Sequence, residues 1–190
     1  MVWTLRRTTT LPNLPVSVSD LKDHLNVAQA DTSQDTKLES LILAAKERVE
    51  RDIDRITINS SFATYGPSFD DSVRLNIKPV TSVTSVQYVD SDGVLQSLDS
   101  YRYLPSAQLI LPAIGEEFPA VYEGIPDAVI VSFTAGYGAD SGCMPRLIQA
   151  AIKLCCGKWF YDPAQESSAL HSQENSYRAI INNLTRSSYP

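Results

Sequence analysis

Few side chains in this sequence are spaced for chemistry. Cys143, a thiol in a polar loop, is the one nucleophile candidate, and it would need His24 or His171 as its base. Neither histidine lies at a telling spacing, and a lone loop cysteine is more often inert, so a small thiol enzyme is a poor reading. Asp90-Ser91-Asp92-Gly93 opens like a calcium loop but lacks a third ligand in register and a terminal glutamate; it reads as a hairpin turn. Asp70-Asp71 and Glu116-Glu117 are paired acids in loops with no metal motif around them, and read as solvated. Gly136-Tyr137-Gly138 lacks the third glycine of a dinucleotide loop and reads as a turn after a strand. There is no GxSxG elbow and no GxxxxGK[ST] loop. Cys143, Cys155 and Cys156 make an odd count of three, with no CxxC pair, and adjacent cysteines are badly placed to bridge one another. They read as reduced thiols of a cytosolic environment, packed as small apolar groups. No catalytic, cofactor-binding or metal-ligating residues are therefore assigned.

Arg48, Arg51 and Arg55 share a helix face and suggest phosphate contacts. Acids are interleaved with them, and the chain as a whole carries a net charge of -6, whereas a DNA-binding regulator carries a basic excess.

The element that holds these arginines is the longest regular one in the chain. From Asp35 to about Ile56, Leu38, Leu41, Ile42, Ala45, Val49, Ile53 and Ile56 recur at steps of three and four, one apolar stripe at the helical period. The opposite face is densely charged with both signs. Glu47 and Arg51 lie one turn apart as an attractive pair, Glu50 and Asp54 as a repulsive one. Before this helix, Ser17 and Asp20 have the spacing of a helix cap, and a short helix carrying Leu21, His24 and Leu25 ends near Asn26. Thr32 and Asp35 repeat the cap signature. After Tyr137, Pro145 suits a first helical turn. From there to Tyr161 the sequence is apolar nearly all round, which predicts a buried helix packed on the Asp35–Ile56 stripe. Gln173 to Thr185 predicts a last amphipathic helix with Tyr177, Ile180, Ile181 and Leu184 on one face, behind a polar linker, Ala164 to Ser172.

Between the helices the period changes. Phe62–Tyr65, Val73–Ile77, Val83–Val89, Val94–Leu98, Tyr101–Leu104, Leu109–Leu111 and Ala128–Thr134 are short runs of β-branched and aromatic residues separated by turn signals. Val129, Val131 and Phe133 alternate as one buried face. With no βαβ alternation, the class is α+β: a helical core with a small antiparallel β-sheet region inserted at about 58–135, and a C-terminal tail helix. The expected division is an extended arm over 1–15, a main domain over 16–161, and a linker with an amphipathic segment over 162–190. The opening residues have two arginines, Arg6 and Arg7, with no apolar run behind them, so a signal peptide is not expected. No window is apolar enough to cross a bilayer.

The order of these features resembles the head–tail connector (neck adaptor) family of tailed bacteriophages. The phrases that carry the resemblance are Val18-Ser19-Asp20-Leu21-Lys22-Asp23-His24-Leu25-Asn26-Val27 and the helix Asp35 to Arg55, followed by the strand and turn running from Lys78-Pro79-Val80 to Asp92-Gly93. Last comes Phe133-Thr134-Ala135-Gly136-Tyr137-Gly138 with Met144-Pro145-Arg146-Leu147-Ile148-Gln149-Ala150-Ala151-Ile152. Together they span most of Val18 to Tyr161. Many relatives have an arginine soon after the last long helix, where this chain has Asp162-Pro163.

The resemblance implies a non-enzymatic virion protein of the neck, assembled in the host cytoplasm. It implies a homo-oligomeric ring of about twelve copies beneath the portal protein, with a tail-side stopper or tail-completion protein as the other partner. DNA then passes through the channel without sequence-specific binding, which the acidic balance suits, and no membrane is involved. It also makes the charged helix face, Glu47, Arg48, Glu50, Arg51 and Arg55, a candidate subunit interface, and Tyr177, Ile180, Ile181 and Leu184 candidate portal-docking residues. Another head- or tail-completion or DNA-packaging component is the alternative reading.

Overall fold

A computed structural model describes residues 3–8, 13–162 and 171–186 of the chain. Of the expected linker Ala164 to Ser172, residues 164–170 lie outside the described residues, and 171–172 open the last helix. In chain order the elements are β1 (Thr4–Arg7), α1 (Val18–Leu25), α2 (Asp35–Ile53), β2 (Ser60–Gly66), β3 (Val73–Arg74), β4 (Val80–Val89), β5 (Leu95–Ser97), β6 (Tyr101–Leu104), β7 (Leu109–Pro112), β8 (Val129–Ala135), α3 (Arg146–Tyr161) and α4 (His171–Arg186). Helices and antiparallel sheets make an α+β chain. Its described residues divide into two compact units: β1 with Asn59–Gly136, and the helical segments 13–58, 137–162 and 171–186.

In the helical unit, α1 starts where its sequence says it should. The Ser17 hydroxyl accepts from the Asp20 N–H at 3.0 Å, and Asn26 ends the helix in the left-handed conformation at φ 54°. The start of α2 differs from expectation. Gln34 occupies the cap position without a side-chain bond, and Asp31 caps the preceding turn instead, through the N–H and hydroxyl of Ser33. Asp35 is drawn elsewhere: its carboxylate meets the buried Lys22 ammonium of α1 at 2.5 Å. A buried cation that needs a counter-charge outranks a local cap.

The far end of α2 also stops short of the expected Ile56. Asp54 turns left-handed at φ 53°, and its N–H bonds back to Glu50. The Glu50 carboxylate then accepts from both the N–H and the hydroxyl of Thr57 at 2.7 Å, which fixes the exit of the chain. Leu38, Ile42, Ala45, Val49 and Ile53 share one buried cluster with Leu21 and Leu25 of α1, with Ile148, Ala151, Ile152, Cys155 and Cys156 of α3, and with Tyr177 and Leu184 of α4.

The β unit holds two sheets rather than one. The larger is ordered β1-β2-β8-β4-β5 and the smaller β3-β7-β6, with every pairing antiparallel. In β8, buried Val129, Val131, Phe133 and Ala135 alternate with more exposed residues. The β2–β8 register puts Phe62 opposite Phe133, with the rings stacked at 5.8 Å. The opening residues add an edge strand, β1, along β2. Trp3 seats that strand: its indole lies on Gly66, where a Cβ would come within 2.5 Å of the ring. The β4–β5 hairpin turns at Gly93, whose φ of 81° favours glycine. The Asp90 carboxylate closes this turn from Asp92 N–H, Val94 N–H and the Gln96 amide. The acceptors of Asp90 thus serve the hairpin.

Candidate functional site

The candidate interface residues of α2 do not form one solvent-facing array. Glu47 is exposed, and the Arg51 side chain is 77% exposed. Arg51 stands 3.8 Å from Asp52, its neighbour in the chain. The other three turn inward or sideways. Glu50, with its side chain 9% exposed, pairs with buried Lys46 at 2.8 Å, which takes it out of the expected repulsion with Asp54. Arg55, expected on the same helix face as Arg48 and Arg51, lies beyond the left-handed Asp54 that ends α2, and donates to the Tyr137 hydroxyl at 2.9 Å.

Arg48 is the centre of a network across α2, α3 and α4. Its guanidinium lies 4.5 Å from the Tyr177 ring centroid and 5.9 Å from that of Trp159. Its Nη2 donates to Glu174 Oε1 at 2.9 Å, and its Nε is 3.7 Å from Asp52. Glu174 gathers three cations, since Lys158 Nζ reaches its other oxygen at 3.0 Å and Arg178 Nε approaches at 3.3 Å. Burial pushes the Glu174 carboxyl up, but the Lys158 hydrogen bond and the Arg48 charge outweigh it, and the net shift is downward. Tyr177 donates to Asp52 Oδ2 at 2.6 Å, and burial, with that bond, raises its pKa. A groove of about 290 Å³ opens beside this network, lined by Arg48, Asp52, Glu174, Tyr177, Arg178 and Ile181 among others.

The candidate docking residues of α4 sit on the helical core of their own chain. Tyr177 and Leu184 are each 3% exposed, and Ile180 and Ile181 pack against the same cluster half-buried. Nothing in the sequence flagged Lys158 or Glu174, because the partners that give them meaning lie on other helices. Glu174 is 126 residues from Arg48.

Of the residues weighed for catalysis, Cys143 lies in the short turn before α3 and His24 on α1, while the side chain of His171 lies outside the described residues. Cys143 is exposed and packs over Gly138, where a Cβ would come within 2.1 Å of its own Cβ; the glycine serves this close approach. His24 lies on α1 near Gly157 of α3. Burial pushes the Cys155 thiol up to about 11 and the Cys156 thiol up to about 12, so both remain protonated and inert. Asp70, Asp71 and Glu117 do come together, around a groove floored by the stacked rings of Phe69 and Phe118 at 4.4 Å. Glu116 instead accepts from Ser100. Among the described residues, no group of three histidine, cysteine or acidic side chains is placed to hold a metal ion. No helix among them is long and apolar enough to cross a membrane.

No family model matches the sequence, and no curated protein matches it. Solved structures do match. A chain in the neck of an empty gene transfer agent (GTA) particle, computed with C6 symmetry, superposes with a TM-score of 0.75 over 92% of this chain and 94% of that one, at 24% identity. A chain in the virion of a native GTA particle gives a TM-score of 0.72 over 91% of this chain and 94% of that one, at 25% identity. A third, in the neck of a native GTA particle computed with C12 symmetry, gives 0.67 over 83% of both chains, at 26% identity. Over most of its length the chain is thus similar to proteins of the neck of phage-like particles, in keeping with the connector phrases in its sequence.

Proposed function

We propose that the chain is a structural, non-enzymatic protein of a virion neck: a head–tail connector that forms a ring beneath the portal, extends the DNA channel and carries the platform for tail attachment. The observation that carries this reading is the likeness to one neck chain over 92% of this chain and 94% of that one, and to another over 83% of both, in necks computed with C6 and C12 symmetry. Connector phrases in the same order support it from the sequence side.

In this ring the subunit core is α2 packed on α3. Glu47 and Arg51 are the part of the α2 face that a neighbouring subunit meets, while Arg48, Glu50 and Arg55 hold the shape of that face from within. α4 is the portal-docking element. Because Tyr177 and Leu184 are buried, docking through Tyr177, Ile180, Ile181 and Leu184 exchanges an intramolecular seat for one on the portal. The tail-side stopper binds the opposite rim, and DNA passes without being gripped.

Native mass spectrometry of the full chain, alone and mixed with the portal protein, tests this. Rings on the portal are expected, and Arg51→Glu should weaken them while leaving the circular dichroism of the chain unchanged. A strict monomer that ignores the portal refutes the reading.

A further inference from the structure

The five-stranded sheet ends in two edges of opposite charge. At one end lies β1, with all four residues exposed, including Leu5 at 42%. Arg6 and Arg7 are its charges, lying over the rings of Tyr65 and Phe62, and the sequence from Met1 to Ser19 contains no acid. At the other end lies β5, also exposed throughout, with Leu95 at 52% as its first residue and Val94 at 53% just before it. The sequence from Pro79 to Tyr101 contains no lysine or arginine; its charges are Asp90, Asp92 and Asp99, which flank β5 on both sides. Among the described residues, each edge strand has a strand neighbour on one side only.

Strand direction constrains how copies can meet. Successive antiparallel pairings from β1 through β2, β8 and β4 return β5 to the direction of β1. A two-fold axis would bring like edges together, arginines against arginines or aspartates against aspartates. A rotation that repeats the same contact brings β5 of one copy beside β1 of the next, in parallel, with acid facing base and Val94 and Leu95 facing Leu5. Such a head-to-tail contact is the kind that generates rings. An open strand edge is also a ready template for another chain.

We infer that the β unit supplies a subunit–subunit junction, in which the basic β1 edge of one copy docks against the acidic, apolar β5 edge of its neighbour. The junction rests on the ring reading above and adds to it a second contact, separate from the α2 face.

Crosslinking tests it on the full chain carrying Cys143→Ser, which removes the exposed thiol and leaves Cys155 and Cys156 buried. Leu5→Cys is placed in one preparation and Gln96→Cys in another, one of them isotope-labelled, and the two are mixed with the portal protein and treated with a short bismaleimide. Heterodimers well in excess of either homodimer are expected. Heterodimers no more abundant than homodimers overturn the junction. Native mass spectrometry of the Cys143→Ser parent with the portal then separates the two ideas: rings without heterodimer excess remove the junction alone, and no rings remove the ring reading with it. A charge-swap experiment adds a second arm, with the reversals introduced into these cysteine chains. Arg6→Glu with Arg7→Glu in the Leu5→Cys chain alone, or Asp92→Lys with Asp99→Lys in the Gln96→Cys chain alone, should abolish the heterodimer excess against the unreversed partner. Mixing the two reversed chains should restore it. Failure to restore, with both variants folded by circular dichroism, refutes the charge pairing.

Discussion

Replacing Glu174 by glutamine asks whether one carboxylate ties the last helix to the rest of the helical unit. Its side chain is 14% exposed and receives Arg48 at 2.9 Å, Lys158 at 3.0 Å and Arg178 at 3.3 Å. The Arg178 side chain is 72% exposed, so its share is that of a surface pair one helical turn apart, about 0.3–0.5 kcal/mol. Arg48 and Lys158 are mostly covered, at 22% and 15%, and hydrogen bonds to charged groups of that kind contribute roughly 1.5–3 kcal/mol each. Glutamine keeps one acceptor oxygen, and the neighbouring groove admits solvent, so the net loss should be about 2 kcal/mol rather than the sum. For a chain of this size that lowers the melting temperature by about 4–8 °C. Urea titration followed by the fluorescence of Trp159, which lies beside Arg48, reads the helical unit.

The pH dependence adds a sign to the same experiment. The native Glu174 pKa lies below its ordinary value, so its contribution is complete above the unfolded-state value and is lost as pH falls through the native one. The gap between wild type and Glu174→Gln should therefore be widest near neutrality and close in acid. A loss below about 0.5 kcal/mol, which is the scale of an ordinary surface change, refutes the claim that Glu174 is a tie. So does a gap that stays constant down through the carboxylate range.

The remaining predictions concern other parts of the two units. Tyr177→Phe removes the 2.6 Å bond to Asp52 and leaves the ring in place; a loss of about 1–2 kcal/mol in urea is expected. Gly66→Ala puts a methyl group where the Trp3 indole lies, so Trp3 should shift toward solvent, with a red-shifted emission and a cost of about 1–3 kcal/mol. Ile42→Ala, at a position with 0% exposure in the α2 stripe, should cost about 2–5 kcal/mol in chemical denaturation.

The sequence by itself determined the local elements, because short-range physics writes them. The apolar stripe of α2 and the Ser17 cap are set by neighbours three and four residues away, as is the alternation of β8, where neighbours two apart decide. The hairpin at Asp92-Gly93 is local in the same sense, and turn chemistry of this kind accounts for the acceptors of Asp90. What the sequence could not decide is where a charged side chain finds its partner. Lys22 and Asp35 look like ordinary helix-surface charges until α1 and α2 pack, and then they form a buried pair. Arg48 belongs to an evenly charged face in the sequence; in the fold it stands between Tyr177 and Trp159 with Glu174 beneath it. Of the five candidate interface residues, Glu47 and Arg51 stay toward solvent, as do Lys37, Glu39 and Asp54 of the same charged run. Likewise Thr4–Arg7 reads in the sequence only as part of an extended arm, since its one strand partner, β2, lies 60 residues away. Coulomb and packing energies depend on distance in space, and a chain fixes that distance only when it folds.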